Sequence, residues 1–176
     1  MNTFDHVKRD LWDQFGAAID MLENAIDACP EVLWADRSRT PEFWYLAFHT
    51  LWWLDYYLHE SPDTFRPPAP YTVDELDPAD VRPERAYTKG ELRAYLAHGR
   101  AKARAKIAAL TEEQAMRTHA FGKRQHSVLN LLLYNARHVQ HHAAQLNLIL
   151  RQVVDAAPRW VSHAGTPLDA PAKEPA

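Results

Sequence analysis

Residues 41–60 read PEFWYLAFHTLWWLDYYLHE. Apolar and aromatic side chains fall on almost every side of a helical wheel here, so a helix over this run has no face to give to water. Such a segment sits at the centre of a bundle or is partly covered at an oligomer interface. Thr40 and Pro41 supply a start signal: threonine as N-cap, and proline at the first helical position, where no amide hydrogen is needed. The expectation is a second helix running to about His59, with a single histidine, His49, in its middle. An unpaired imidazole among Phe48, Leu51, Trp52 and Trp53 is costly to bury.

The chain on either side of this helix reads as helical too. Phe4, Val7, Leu11, Phe15, Ile19, Leu22 and Ile26 recur at steps of three and four, which predicts a first helix from Thr3 to Ala28 with one core-facing stripe. Pro30 stops it, and PEVLWADR reads as a helical turn or short connector. After the second helix, residues 61–87 hold six of the twelve prolines and predict an extended connection. Helix–helix loops in bundles usually take about 2–8 residues and force antiparallel neighbours. A connection this long can cross the bundle and permits the second and third helices to run parallel.

Thr88 and Glu91 form a capping box that opens the third helix, expected to reach about Leu110. The sequence TEEQ from Thr111 opens a short helix by the same device, and Ser127 caps the last long one, which ends near Val154. No alternating strand pattern appears. The tail is rich in proline and alanine, with Trp160 and Val161 as anchors and its last ten residues expected to be mobile. The fold expected is all-α: a four-helix bundle over residues 1–157, with a long crossover between helices two and three, followed by a tail over 158–176.

Composition narrows the function classes. The chain of 176 residues fits one domain, and its net charge of −3 gives no electrostatic argument for nucleic acid. The single Cys29 excludes an intramolecular disulfide and fits a reducing compartment. The opening MNTFDHVKRD lacks the apolar run of a signal peptide, and no apolar stretch approaches the roughly 20 residues of a membrane span. A soluble, cytoplasmic protein is expected.

Chemistry concentrates in NARHVQHHAAQ, residues 135–145. His138 and His142 stand four residues apart on one helical face, about 6 Å along the axis, a spacing at which two imidazoles can grip one metal ion. Their stripe runs Leu131, Asn135, His138, His142, Gln145, Ile149, apolar at both ends, so its middle should face the bundle interior. His141 projects elsewhere; the pair His138–His141 would leave His142 unused on the inward stripe.

Two familiar sites are excluded. Val139 stands where the H-E-x-x-H metalloproteases place their glutamate, and residues 127–154 lack the carboxylates of a di-iron bundle. Two ligands from one helix need a third from elsewhere, and His49 is the best candidate. His6 and His59 lie near segment ends, while His98 and His119 read as exposed.

The pattern His138-Val139-Gln140-His141-His142-Ala143-Ala144-Gln145, with His49 about ninety residues earlier, resembles the DinB superfamily (DinB/YfiT-like metalloenzymes). Members carry one histidine in the second helix and an H-x-x-x-H pair in the fourth. The resemblance covers roughly residues 3–155 and implies that His49, His138 and His142 bind a divalent metal, commonly zinc or nickel. It also implies parallel second and third helices, and a homodimer. Ala143-Ala144 departs from the family's frequent Arg-Gly, which leaves the triad intact.

Characterised relatives include transferases and isomerases that use low-molecular-weight thiols such as mycothiol, bacillithiol or glutathione. The function implied is a metal-dependent thiol S-transferase or hydrolase acting on an electrophilic small molecule. The alternatives are a non-catalytic metal-binding stress-response protein and an interaction module built on a pH-sensitive histidine cluster.

Asn135 and Gln145 are candidates to orient an imidazole. Tyr56 is a candidate proton donor, although packing is the commoner use of such a ring, and Trp52 and Trp53 are candidate pocket walls or core filling. The basic run RAKARAK, with Arg100, Lys102, Arg104 and Lys106, reads as a solvated face. Cys29 reads as a buried structural thiol.

Overall fold

Helix α1 (Thr3–Ala28) spans the stretch its periodicity predicts, and buries Leu11, Phe15, Ile19, Leu22 and Ile26. A single turn, α2 (Glu31–Trp34), leads to α3 (Phe43–Tyr57). In the computed structural model, which describes residues 3–79, 81–121 and 124–171, the remaining elements are α4 (Lys89–Ala109), α5 (Glu112–Met116), a hairpin of β1 (Thr118–Phe121) and β2 (Arg124–Ser127), and α6 (Val128–Val154).

Helix α3 starts two residues later than the Thr40–Pro41 signal suggests. Glu42 occupies the N-cap, and its carboxylate accepts from the Arg37 guanidinium and the Trp44 indole, both at 2.6 Å, instead of capping a backbone amide. The box at Thr88 and Glu91 forms as expected, as does a second one at Thr111 and Gln114, and Ser127 accepts from the Asn130 amide. The hairpin is the element that periodicity did not indicate. Its strands are four residues each and pair antiparallel, with His119 opposite His126, in a sequence too short and polar to alternate clearly.

Side-chain contacts give the bundle its directions. Asp27 pairs with Arg93, and Glu23 and Asp20 pair with Arg100, so α1 and α4 are antiparallel. The Phe48 ring meets Tyr87 just before α4, Asp55 meets Tyr95 and Lys102, and Lys106 reaches the Leu58 carbonyl. Helices α3 and α4 therefore ascend together, as the long connection permits. Along α3 and α6 the order reverses: His49 meets His142, Leu54 meets Asn135 and Tyr57 meets Tyr134.

The crossover between them is held down by aromatic rings. Tyr71 stacks on Tyr95 at 4.2 Å, Phe65 meets Trp52 edge-on at 5.0 Å, and the Trp52 indole donates to the Thr72 carbonyl at 2.8 Å. Through Phe65, Tyr71 and Thr72 the crossover between α3 and α4 thus forms a packed strap, which delivers an acid to the site described below.

The basic run on α4 is internal bracing rather than a solvated face. Arg100 pairs with Asp20 and Glu23, Lys102 with buried Asp55, and Arg104 donates to the carbonyls of Pro167 and Leu168. Those carbonyls belong to the tail, which folds back on the bundle: Trp12 donates to Thr166, and the Asp20 carboxylate accepts from Gly165. A Cβ at Gly16 would lie 2.6 Å from that of Ala164, so glycine is what lets the tail approach α1. Trp160 is 68% exposed and does not serve as the expected anchor. Residues 172–176, part of the end expected to be mobile, lie outside the described residues. Among the described residues, no helix is long and apolar enough to cross a membrane.

Candidate metal centre

His49 enters from the middle of α3, and His138 and His142 enter from successive turns of α6. Because α3 and α6 are antiparallel neighbours, the three rings converge with centroids 5.5, 5.0 and 4.5 Å apart. One ligand nitrogen from each lies within 4.8 Å of the others, a grouping that can hold a metal ion. The three residues that sequence spacing selects are the three brought together.

The surrounding hydrogen bonds fix which nitrogen each ring presents. His49 Nδ1 donates to Glu75 Oε2 at 2.7 Å, so its Nε2 keeps the lone pair. His142 Nδ1 donates to Gln145 Oε1 at 2.6 Å, with the same consequence. His142 Nε2 in turn lies 3.1 Å from His138 Nε2. His138 Nδ1 is buried without a hydrogen-bond partner. A carboxylate–histidine pair and an amide–histidine pair are the usual means of orienting metal-binding imidazoles.

Burial pushes the pKa of His138 down to about 3 and that of His142 down to about 4, with neighbouring imidazoles adding to the effect. Both rings are therefore neutral near pH 7, with lone pairs available. Two lone pairs turned towards one centre, beside a third ring whose buried Nδ1 lacks a partner, fit a cation better than they fit an empty core. An all-imidazole donor set suits a divalent transition-metal ion.

Glu75 is the residue that periodicity could not find. It lies in the proline-rich crossover, in a one-turn 3₁₀ segment (Asp74–Leu76) outside any amphipathic pattern. Its side chain is 3% exposed and accepts from Tyr45 Oη at 2.9 Å and Trp53 Nε1 at 3.1 Å as well as from His49. Replacing Glu75 with Gln keeps the shape but weakens the acceptor. The expected result is a 10–100-fold loss of zinc affinity, measured by competition with a chromophoric chelator.

A cavity of about 270 Å³ opens beside His49 and His142, lined by Tyr45, Leu46 and Trp53 and by the acids Asp74 and Asp77. Of the supporting residues expected from sequence, Gln145 orients His142, and Trp53 walls the cavity. Asn135 does not reach an imidazole: fully buried, it donates to the Leu54 carbonyl at 3.0 Å and joins α6 to α3. Tyr56 stacks on Trp52 at 5.1 Å and meets Phe65, which places it in the core beneath the strap. Trp52 is fully buried.

The other histidines stand apart. His141 is exposed on the outer side of α6, His59 packs on Phe65, His6 accepts from Arg9, and His98 lies 3.5 Å from Asp55. The His119 side chain lies outside the described residues. Cys29 is 1% exposed, and burial pushes its thiol up to about 12, which suits a structural role.

The sequence model of the DinB superfamily matches residues 14–146, a span that contains all three histidines. No match was found among curated proteins or among solved structures.

Proposed function

The chain belongs to the DinB superfamily, and from that premise we propose that it is a metal-dependent thiol S-transferase or hydrolase acting on an electrophilic small molecule. His49, His138 and His142 would hold a zinc or nickel ion through Nε2. The observation that carries this reading is the convergence of three imidazoles, two of them oriented from behind and lining a small open cavity. Neutral ligands leave a divalent ion its full charge, which lowers the pKa of a coordinated thiol or water towards neutrality.

The chain's own residues supply the rest. Glu75 and Gln145 hold two rings in the required tautomer, and Tyr45 and Trp53 hold Glu75. The indole and phenol faces present an apolar wall against which a compact electrophile can rest. Three protein ligands rather than four favour an open, reactive site over a closed structural one. That is what separates this reading from a purely structural metal centre.

The test is a conjugation screen with zinc- and nickel-loaded protein, several low-molecular-weight thiols, and chloro-aromatic and epoxide electrophiles. Turnover that disappears with His138→Ala supports the proposal. Metal-loaded protein that is inert across all thiols and with water would overturn the catalytic reading and leave a binding protein.

A further inference from the structure

The charge of the cavity bears on what enters it. Its lining includes three carboxylates, those of Asp74, Glu75 and Asp77, and no lysine or arginine. Glu75 is committed to His49, Tyr45 and Trp53. Asp74 and Asp77 each use one oxygen on a local bond, to Thr72 Oγ1 at 2.6 Å and to the Ala79 amide at 2.8 Å. Among the described residues, neither has a lysine or arginine within ion-pair distance. The guanidinium of Arg82, which is not part of the lining, lies 4.5 Å from the centroid of the Tyr45 ring and 3.7 Å from Glu42.

The carboxylates of the lining are thus not matched by any lysine or arginine within it. The same lining brings the His49 and His142 nitrogen donors, the Asp74 and Asp77 carboxylates, and the Tyr45 and Trp53 rings to one cavity. An anionic tail would meet like charge at Asp74 and Asp77. A cationic tail would meet opposite charge and aromatic faces.

We propose that this pocket selects compact ligands carrying a metal-binding donor at one end and a positive charge at the other, with aminothiols as the representative class. Asp74 and Asp77 are the specificity-determining residues, and His49 and His142 face the donor end. The inference rests on the metal-binding reading above and adds the charge of the ligand to it. It disfavours thiols whose remote end carries carboxylates.

The test uses protein loaded with cobalt(II) and three thiols of similar length: cysteamine, 2-mercaptoethanol and 3-mercaptopropionate. Binding is followed by the thiolate-to-cobalt charge-transfer absorption, a readout independent of turnover. Each thiol is compared between wild type and Asp74→Asn, Asp77→Asn and the double variant at one pH, so intrinsic thiol acidity cancels. Asparagine preserves the local acceptor oxygens, and the cobalt d–d spectrum checks that each variant retains the centre.

The double variant is expected to bind cysteamine roughly three- to tenfold more weakly, to change 2-mercaptoethanol less than twofold, and to bind 3-mercaptopropionate more tightly. Equal changes for all three thiols, or none, would overturn the charge-selection proposal while leaving the metal centre standing. Failure of wild-type protein to take up cobalt would overturn the metal reading and this inference with it.

Discussion

His138→Ala is expected to abolish stoichiometric metal binding while leaving the metal-free fold almost unchanged. Four-ligand zinc sites bind with roughly 10–16 kcal/mol, so removal of one imidazole from three should weaken affinity by at least about 10²–10³-fold. The cost to the metal-free protein is small for a specific reason. His138 Nδ1 is a buried polar atom without a partner, and removing it relieves that penalty while opening a modest cavity.

The two terms oppose each other, and a net change within about 1 kcal/mol is expected. Zinc should raise the melting temperature of the wild type by ligand linkage and should not raise that of the variant. Metal analysis and thermal unfolding with and without zinc check both halves. A variant that keeps one ion per chain would show that His138 is not a ligand.

Trp52→Ala carries the largest expected loss of stability. The side chain is fully buried, stacks on Tyr56, meets Phe65 and Trp53 edge-on, and donates to the Thr72 carbonyl. Truncation of a buried tryptophan costs about 3–5 kcal/mol, a large share of the about 5–15 kcal/mol that holds a typical domain together. At about 2–4 °C per kcal/mol for a chain of this size, the melting temperature should fall by roughly 6–20 °C.

The loss should also reach the metal. Thr72 lies three residues before Glu75, so freeing the strap from Trp52 frees the acid that orients His49. Trp52→Phe, which keeps an aromatic ring but loses the indole donor, should cost only about 1–2 kcal/mol. Denaturant unfolding distinguishes the two variants. A Trp52→Ala protein within about 1 kcal/mol of wild type would contradict the description of the crossover as a packed strap.

These two residues also mark what the sequence could and could not reveal. The long helices were legible because each announces itself locally: an apolar stripe along α1, capping boxes at Thr88 and Thr111, Ser127 before α6. The histidine cluster was legible because i,i+4 spacing places His138 and His142 on one face, and His49 is the sole histidine inside a largely apolar helix. Local signals failed where a long-range contact decided the outcome. Thr40 was expected as the N-cap of α3, but Glu42 takes that position with its carboxylate turned to Arg37 and Trp44, and Asn135 turned to the Leu54 carbonyl because α3 packs directly on it.

Glu75 had no signal at all. An acid in a proline-rich segment reads as solvated until the strap folds and sets it beneath Tyr45 and Trp53. The basic run on α4 was misread for the same reason, since its partners lie on α1, α3 and the tail, 47 to 80 residues away in sequence.

The central claim is that His49, His138 and His142 hold one divalent ion. Its most direct test is an anomalous difference map, recorded at the zinc edge, from crystals of protein expressed without a His-tag and loaded with zinc. One peak per chain is predicted at about 2.0–2.1 Å from Nε2 of each of the three rings. No peak at that position, or a peak bound through His141 while His49 and His138 stay unligated, would contradict it.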